Sequence, residues 1–159
     1  MSGYQSLAHR YREMAIKTAS PLQLIVMLYD AAICSIRDAQ EQMSRRNIAA
    51  RSRSINKGIR IISELQSSLN LKAGGEIAVS LSRLYDYMVR TLFRANMDQS
   101  SQALTEIETL LENLRSAWVE LVNQTSGAVL SPAKQMPDGD LIGIAEPSKL
   151  QPKSFNVSI

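Results

Sequence analysis

The sequence contains almost none of the residues that cross-link a chain or hold a metal. Its 159 residues include a single cysteine, Cys34, and a single histidine, His9. One thiol can form neither an intramolecular disulfide nor a cysteine-rich metal cluster, so nothing in the chain requires an oxidising compartment. We therefore expect a cytoplasmic protein without a metal or cofactor.

Long apolar runs and a strong excess of one charge are also missing. No window approaches the roughly 18 consecutive apolar residues of a membrane span, and residues 1–17 lack the pattern of a signal peptide. The net charge of +3 arises from 18 basic and 15 acidic residues, whereas a dedicated nucleic-acid binder has a much stronger positive field. The sequence predicts neither membrane insertion nor a nucleic-acid partner.

Motifs typical of enzymes do not occur either. A di-iron bundle needs Glu-x-x-His on two helices, but His9 lies ahead of every helix predicted below. There is no G-x-S-x-G nucleophile motif, and Gly74-Gly75 lacks the Lys-Ser/Thr pair of a phosphate-binding loop. Cys34 is interpreted as a small apolar core residue. We assign no catalytic residue and predict a protein that is not an enzyme.

Proline and glycine are scarce in the middle of the chain and common near its end. Four of the five prolines and three of the seven glycines follow Gln124, and such residues interrupt helices. We therefore divide the chain into an N-terminal segment (1–17) that docks on the main domain, a helical domain (18–123) and a flexible, disordered tail (124–159).

Apolar residues recur at helical spacing in four stretches of that domain. The first begins at Ser20-Pro21-Leu22-Gln23, which has the pattern of a capping box with proline at the first helical position. The second follows Asn47, the third follows Gly74-Gly75, and the fourth begins near Ser101. Because the connections are only a few residues long, neighbouring helices must run antiparallel. The predicted fold is an all-α, antiparallel up-down four-helix bundle.

The periodicity also separates predicted core from predicted surface. Ile48 lies on the apolar stripe of the second helix, Ile77 on that of the third and Trp118 on that of the fourth. A basic stripe on the opposite face of the second helix is interpreted as a solvated surface, with nucleic-acid contact as the alternative; it consists of Arg46, Arg53, Lys57 and Arg60.

Two helices carry more apolar residues than a bundle core needs. On helix 1 the excess is Leu24, Met27 and Ala31, and on helix 3 it is Val79, Tyr87 and Phe93. Such a widened stripe can pack against the N-terminal segment or a second subunit, or it can form a groove for a partner. Methionines favour the groove, because their flexible side chains adapt to varied partners.

Several short motifs follow one another in a distinctive order. They are Tyr11, Ile16, Thr18-Ala19-Ser20-Pro21, Leu24-Ile25, Met27-Leu28-Tyr29-Asp30, Gly74-Gly75-Glu76-Ile77-Ala78, Leu84-Tyr85-Asp86-Tyr87-Met88, Ala95-Asn96, Leu110-Leu111, Arg115 and Ala117-Trp118. In kind, order and spacing these motifs resemble FliS, the family of flagellar export chaperones for flagellin. The resemblance spans residues 11–118, and the tail after Asn123 has no counterpart in it.

The resemblance implies a cytoplasmic, non-enzymatic chaperone that binds the disordered C-terminal segment of flagellin, prevents its premature polymerisation and assists its export and assembly into the filament. The candidates for a second partner are a component of the export gate and an anti-sigma factor. The resemblance places the contacts on the N-terminal half of helix 1 and on helix 3, which it takes as neighbours. The candidate partner-binding residues are Tyr11, Ile16, Leu24, Met27, Leu28, Ala31, Tyr87 and Met88.

The additional apolar residues of helices 1 and 3 also fit a different class of function. A homodimerising helical bundle, acting as an interaction or regulatory module, would bury these residues against a second copy of the chain. Tyr11 and Ile16 have two interpretations as well: they contact the client directly, or their segment covers an empty client groove.

Overall fold

The computed structural model describes residues 19–128, and within them the chain forms four α-helices. These are α1 (Pro21–Ser44), α2 (Ile48–Ser67), α3 (Leu71–Asp98) and α4 (Ser101–Ala128). No strand occurs in this range, so the all-α prediction is confirmed. Helix α4 continues to Ala128, past the helix end that we predicted near Asn123. The docking of segment 1–17 and the remainder of the tail lie outside the described residues.

The start of each of the first three helices is set by a polar side chain at its N-cap. Ser20 Oγ accepts a hydrogen bond from the backbone N–H of Gln23 at 3.2 Å, and Gln23 Oε1 accepts one from the Ser20 N–H at 2.8 Å. This reciprocal pair is the predicted capping box. The side-chain oxygens of Asn47 and Asn70 each accept a single hydrogen bond at 3.1 Å, from the backbone N–H of Ala50 and Ala73, and so cap α2 and α3.

The Gly74-Gly75 pair, which we predicted as the break ahead of helix 3, falls within the range of α3, because one further helical turn precedes it. Asn70 caps the first turn, so the helix begins at Leu71. The backbone then kinks at Gly75, where φ is +53° and ψ is −136°. Side chains rarely tolerate a positive φ, and glycine removes that cost. The non-helical angles at Gly75 divide α3 into a short first turn and the long helix that follows the predicted break.

Cross-helix hydrogen bonds define the direction of the helices. Gln40 of α1 donates to Thr105 of α4. Nearer the start of α1, Asp30 accepts from Arg115, which lies farther along α4. Residues nearer the start of α1 therefore contact residues farther along α4, as expected for an antiparallel pair of helices. Helices α2 and α3 run antiparallel by the same criterion, since Ser52 bonds Asn96 and Gln66 bonds Ser82.

Helix α1 packs against α2 and α4, and α3 also packs against α2 and α4. Helices α1 and α3 therefore occupy opposite corners of the bundle and meet only through its core. The expectation that helix 3 neighbours helix 1 is wrong. An up-down bundle places each helix beside the next one in the chain, so the first and third lie on a diagonal.

A buried hydrogen-bond network joins three helices at the centre of the core. The hydroxyl of Tyr29 on α1 forms a hydrogen bond with that of Tyr85 on α3. Trp118 of α4 donates its indole N–H to the Tyr29 hydroxyl at 3.2 Å. All three side chains are at most 4% exposed, which confirms Trp118 as a core residue. The network satisfies polar atoms that would otherwise be costly to bury.

The two buried tyrosines make stability sensitive to alkaline pH. Burial raises the pKa of the Tyr29 and Tyr85 phenols above the ordinary value. Above pH ~10 the unfolded chain loses phenolic protons that the folded chain keeps, so the free energy of unfolding falls by ~1.4 kcal/mol per pH unit for each tyrosine. Urea unfolding at several pH values checks this slope. The double variant Tyr29→Phe, Tyr85→Phe should be distinctly less sensitive, and an unchanged slope would contradict the assignment.

Three residues that we placed in the core are exposed. Ile48 is 59% and Ile77 is 42% exposed, and Cys34 is also on the surface. Ile48 is the first residue of α2, where no neighbouring turn covers it, and Ile77 follows the kink at Gly75. Cys34 lies about 100° from the buried Ile33 around α1, so the helix turns its thiol away from the core.

Candidate interaction surfaces

Exposed apolar side chains are concentrated on a single helix. The described part of the bundle has seven large hydrophobic residues that are clearly exposed, and six of them belong to α3. They are Leu71, Ile77, Val79, Tyr87, Phe93 and Met97, with exposures from 38% to 81%. Single apolar residues are ordinary on a protein surface, whereas contiguous apolar patches are typical of interaction sites.

The boundary between α3 and α4 is the most open of the four helix–helix contacts. These two helices pack together less extensively than any other adjacent pair. The phenol of Tyr87 donates a hydrogen bond to the Glu106 carboxylate across the boundary. This bond lies near the α3–α4 turn and fixes which flanks of the two helices face each other.

Apolar side chains follow these two flanks away from the turn. On α4, Leu110, Leu114 and Leu121 continue the helical stripe that starts at Glu106, and all three are half-buried. On α3, the half-buried Leu81 and Leu84 lie on the flank that also bears Ile77 and Tyr87. We call this surface the α3–α4 seam and define it by Ile77, Leu81, Leu84, Tyr87, Leu110, Leu114 and Leu121. A polar contact, the Tyr87–Glu106 hydrogen bond, lies at one end of the seam.

A second apolar surface lies on the first half of α1. Leu24, Met27, Leu28 and Ala31 are all half-buried rather than fully exposed. We call these four residues the α1 surface. They lie on the corner of the bundle opposite to Tyr87, so they do not share one groove with it. The candidate residues thus form two surfaces, whereas the sequence predicted one.

The structure places Met88 in the core and not on either surface. Its side chain is 0% exposed and packs among the buried residues of the bundle. Met88 follows Tyr85 by three residues, so the helix turns it to the same interior side. It therefore offers no surface to a partner in this conformation. Tyr11 and Ile16 lie outside the described residues.

A buried arginine escaped the sequence analysis. Arg51 is 5% exposed, and its guanidinium donates to Asn96 Oδ1 and to the Asn96 carbonyl oxygen, both at 3.1 Å. The carbonyl belongs to the last turns of α3, where the helix dipole favours a cation. A signal was present in the sequence, because Arg51 precedes Ile55 by four and Ile62 by eleven residues and so shares their apolar stripe.

Charge is distributed unevenly between the two halves of the bundle. Helices α2 and α3 together hold eight basic and four acidic residues, a net +4, whereas α1 and α4 hold two basic and seven acidic residues, a net −5. The ion pairs between described residues are Arg37–Glu108, Arg37–Glu112, Arg45–Glu41 and Arg115–Asp30. None of these pairs involves a cation of α2 or α3. The four residues of the predicted basic stripe are exposed.

Two further features of residues 19–128 concern the grouping of metal-binding side chains and the hydropathy of the helices. No group of three or more histidine, cysteine, aspartate or glutamate side chains among them is arranged to hold a metal ion. None of the four helices combines the length and the hydropathy needed to cross a bilayer. What the described bundle does present is apolar surface, in the α3–α4 seam and the α1 surface.

Comparison with known proteins supports the resemblance drawn from the motifs. The family model described as "Flagellar protein FliS" matches residues 4–125. A flagellar secretion chaperone FliS of Salmonella typhimurium is 39% identical over 126 residues, which cover 79% of this chain and 93% of that relative. The FliS chaperones of Escherichia coli and Bacillus subtilis are 35% and 30% identical, over 74% and 70% of this chain and 88% and 83% of the relatives.

Proposed function

Since this chain belongs to the FliS family of flagellar secretion chaperones, we propose that its client is the disordered C-terminal segment of flagellin. The protein holds this segment in the cytoplasm, prevents its premature polymerisation and assists its delivery for export and filament assembly. It acts by binding alone and catalyses no reaction. The exposure of Ile77 and Tyr87 along the apolar α3–α4 seam is the observation that carries this proposal.

The α3–α4 seam suits an amphipathic helix of the client. A helix that lies in a groove inserts apolar residues at positions i, i+3, i+4 and i+7. Along the seam, Ile77, Leu81 and Leu84 of α3 are spaced at similar intervals on one flank. A client helix in this position would complete the packing between α3 and α4, the least extensive of the adjacent helix pairs.

The α1 surface extends the proposed contact to the opposite corner of the bundle. Helices in a bundle are about 8–10 Å apart, so a segment of a few tens of residues can pass from the seam to Met27 and its neighbours. A disordered client can wrap in this way, because it orders only on binding and follows the shape of the chaperone. The proposed contact residues of the described bundle are those of the α3–α4 seam, Tyr87 among them, together with Leu24, Met27, Leu28 and Ala31 of the α1 surface.

Isothermal titration calorimetry with a synthetic flagellin C-terminal peptide tests the proposal. We expect one-to-one binding with a large negative heat-capacity change, because coupled folding buries apolar surface. Light scattering on the free protein distinguishes the alternative. A tight dimer that binds no peptide would favour the alternative function, a homodimerising interaction or regulatory module. An export-gate component or an anti-sigma factor added to the peptide complex tests for a second partner.

The basic stripe on α2 should contribute little to client binding. Arg53, Lys57 and Arg60 are exposed and lie away from both apolar surfaces. Exposed charges are screened by solvent, and pairs of them contribute only ~0 to 1 kcal/mol. We expect the triple replacement by glutamine to leave the peptide affinity within about threefold of the original value, as measured by calorimetry. A tenfold loss would place the stripe in the client interface.

The N-terminal segment is proposed as a removable cover of the α1 surface, one of the two proposed client-binding surfaces. Its apolar residues, among them Tyr11 and Ile16, directly precede the capped start of α1 and are tethered near Met27. Because the segment is tethered, its effective concentration at the α1 surface is high. A client then binds only the fraction of molecules whose α1 surface is uncovered. Deleting residues 2–15 should raise the association rate of the peptide in stopped-flow measurements and make the free protein more prone to aggregate. A large loss of affinity with unchanged solubility would instead make Tyr11 and Ile16 client contacts.

A further inference from the structure

One flank of the bundle combines exposed apolar residues with positive charge. Gln66 of α2 donates to the hydroxyl of Ser82 and to Asp86 Oδ1 at 3.1 and 2.8 Å, so the side of α3 that bears these two residues faces α2. Phe93 follows Asp86 by seven residues and Met97 follows by eleven, which places both on that side. Phe93 is 54% and Met97 is 81% exposed.

Basic residues border this flank on both helices. Arg90 on α3 follows Asp86 by one helical turn, and Arg53 and Arg60 lie on the outer edge of α2. The half-buried Ile59 and Val89 pack against the core between the two helices. We call this surface the α2–α3 flank and define it by Arg53, Ile59, Arg60, Val89, Arg90, Phe93 and Met97. It belongs to the half of the bundle with a net charge of +4.

The complementary chemistry occurs in the tail of the same chain. Residues 138–146 read Asp-Gly-Asp-Leu-Ile-Gly-Ile-Ala-Glu, which combine three acidic residues with Leu141, Ile142 and Ile144 and include no basic residue. The lysines of the tail, Lys134, Lys149 and Lys153, all lie outside this stretch. We propose that residues 138–146, which we call the acidic segment, dock on the α2–α3 flank of their own bundle.

The tail is long enough for this contact. Thirteen residues separate Leu141 from the end of α4 at Ala128, and an extended chain of that length spans up to ~43–47 Å. The tail leaves α4 at the end of the bundle where α3 begins, because α3 and α4 are consecutive helices joined by a short turn. From there to Phe93, α3 is ~33 Å long, so the apolar residues of the acidic segment reach Phe93 with length to spare.

Binding of the acidic segment would neutralise positive charge on the α2–α3 flank and would also cover the exposed side chains of Phe93 and Met97. The tether keeps the local concentration of the segment in the millimolar range, so even a weak contact is populated. The occupied flank is distinct from the α3–α4 seam, which lies on the other side of α3, and the proposal therefore does not depend on the identity of the client.

Paramagnetic relaxation enhancement in the full chain tests the contact. A nitroxide is attached at Ser148→Cys in a Cys34→Ser background, since Cys34 is the only other thiol. We expect the amide signals around Arg53, Arg60 and Phe93 to be weaker than in the same sample after the nitroxide has been reduced. Amide signals from the outer faces of α1 and α4 should keep their intensity. Raising the salt from 0.1 to 1 M shortens the Debye length from ~10 to ~3 Å and should restore most of the lost intensity.

Two tail variants provide the matched comparison. Replacing Asp138, Asp140 and Glu146 by Asn, Asn and Gln removes the charge and should restore the signals of the α2–α3 flank at low salt. Replacing Lys149 by Gln should leave the broadening unchanged. Broadening that is spread evenly over both halves of the bundle, or that falls on the α3–α4 seam, would overturn the proposal. So would broadening of the flank that persists in the charge-removed variant.

Discussion

Replacing Trp118 with alanine should lower the free energy of unfolding by ~3 to 5 kcal/mol, the usual cost of removing a large aromatic residue from a core. Trp118 is 4% exposed and packs within the central cluster of the bundle. Its indole also donates to the Tyr29 hydroxyl, so the truncation removes a hydrogen bond together with the packing. Urea unfolding followed by circular dichroism measures the loss without relying on tryptophan fluorescence.

Trp118→Phe is the control for this truncation. Phenylalanine keeps most of the apolar contact and loses the indole N–H, so we expect a cost of ~1 kcal/mol for the missing hydrogen bond and a smaller term for the reduced volume. A loss below about 1 kcal/mol in the alanine variant would contradict the position of Trp118 in the core. Equal losses in the two variants would assign the effect to the hydrogen bond and not to packing.

A carboxylate in the α3–α4 seam should disrupt client binding while the bundle stays folded. Ile77 is 42% exposed, so Ile77→Glu keeps its charge in contact with water in the free protein. In the complex, the proposed client helix would cover that charge. Burying an unpaired carboxylate costs at least ~2 kcal/mol, so we expect the peptide dissociation constant to rise ~30-fold or more in calorimetry.

The chain offers a matched control on the same helix. Met97 is more exposed than Ile77 but lies on the flank of α3 that faces α2, so Met97→Glu should leave the peptide affinity within about twofold. Met27→Glu applies the same test to the α1 surface and should weaken binding without unfolding the domain. Equal effects of Ile77→Glu and Met97→Glu would show that the client does not occupy the seam. If thermal melts show that Met27→Glu unfolds the domain, Met27 belongs to the core.

The sequence was most informative where the cause of a structure is local. Ser20 and Gln23 form a capping box because hydrogen-bonding groups three residues apart meet across the first helical turn. The apolar period identified four helices and placed Trp118 in the core. It was less reliable near helix ends and kinks. Ile48 begins α2 and Ile77 follows Gly75, and at such positions the average helical angle no longer predicts burial.

The candidate site was only partly predictable. The exposure of Val79, Tyr87 and Phe93 agrees with the expectation that they lie outside the core stripe of helix 3. The expectation that α1 and α3 share a groove conflicted with the up-down topology predicted from the same connections. Met88 shows a further limit, because one helix turn separates a buried position from an exposed one and an apolar side chain suits both.

By itself, the sequence determined the number of helices, their approximate limits and the apolar face of each, because helix capping and periodicity act over a few residues. The order and spacing of its short motifs indicated the chaperone family by resemblance. The tertiary structure decided which flanks meet. It buried Arg51 against Asn96 at the end of α3, joined Tyr29, Tyr85 and Trp118 across three helices, and left the α3–α4 seam open. These features depend on the rotation and separation of whole helices, which result from the packing of all four faces at once.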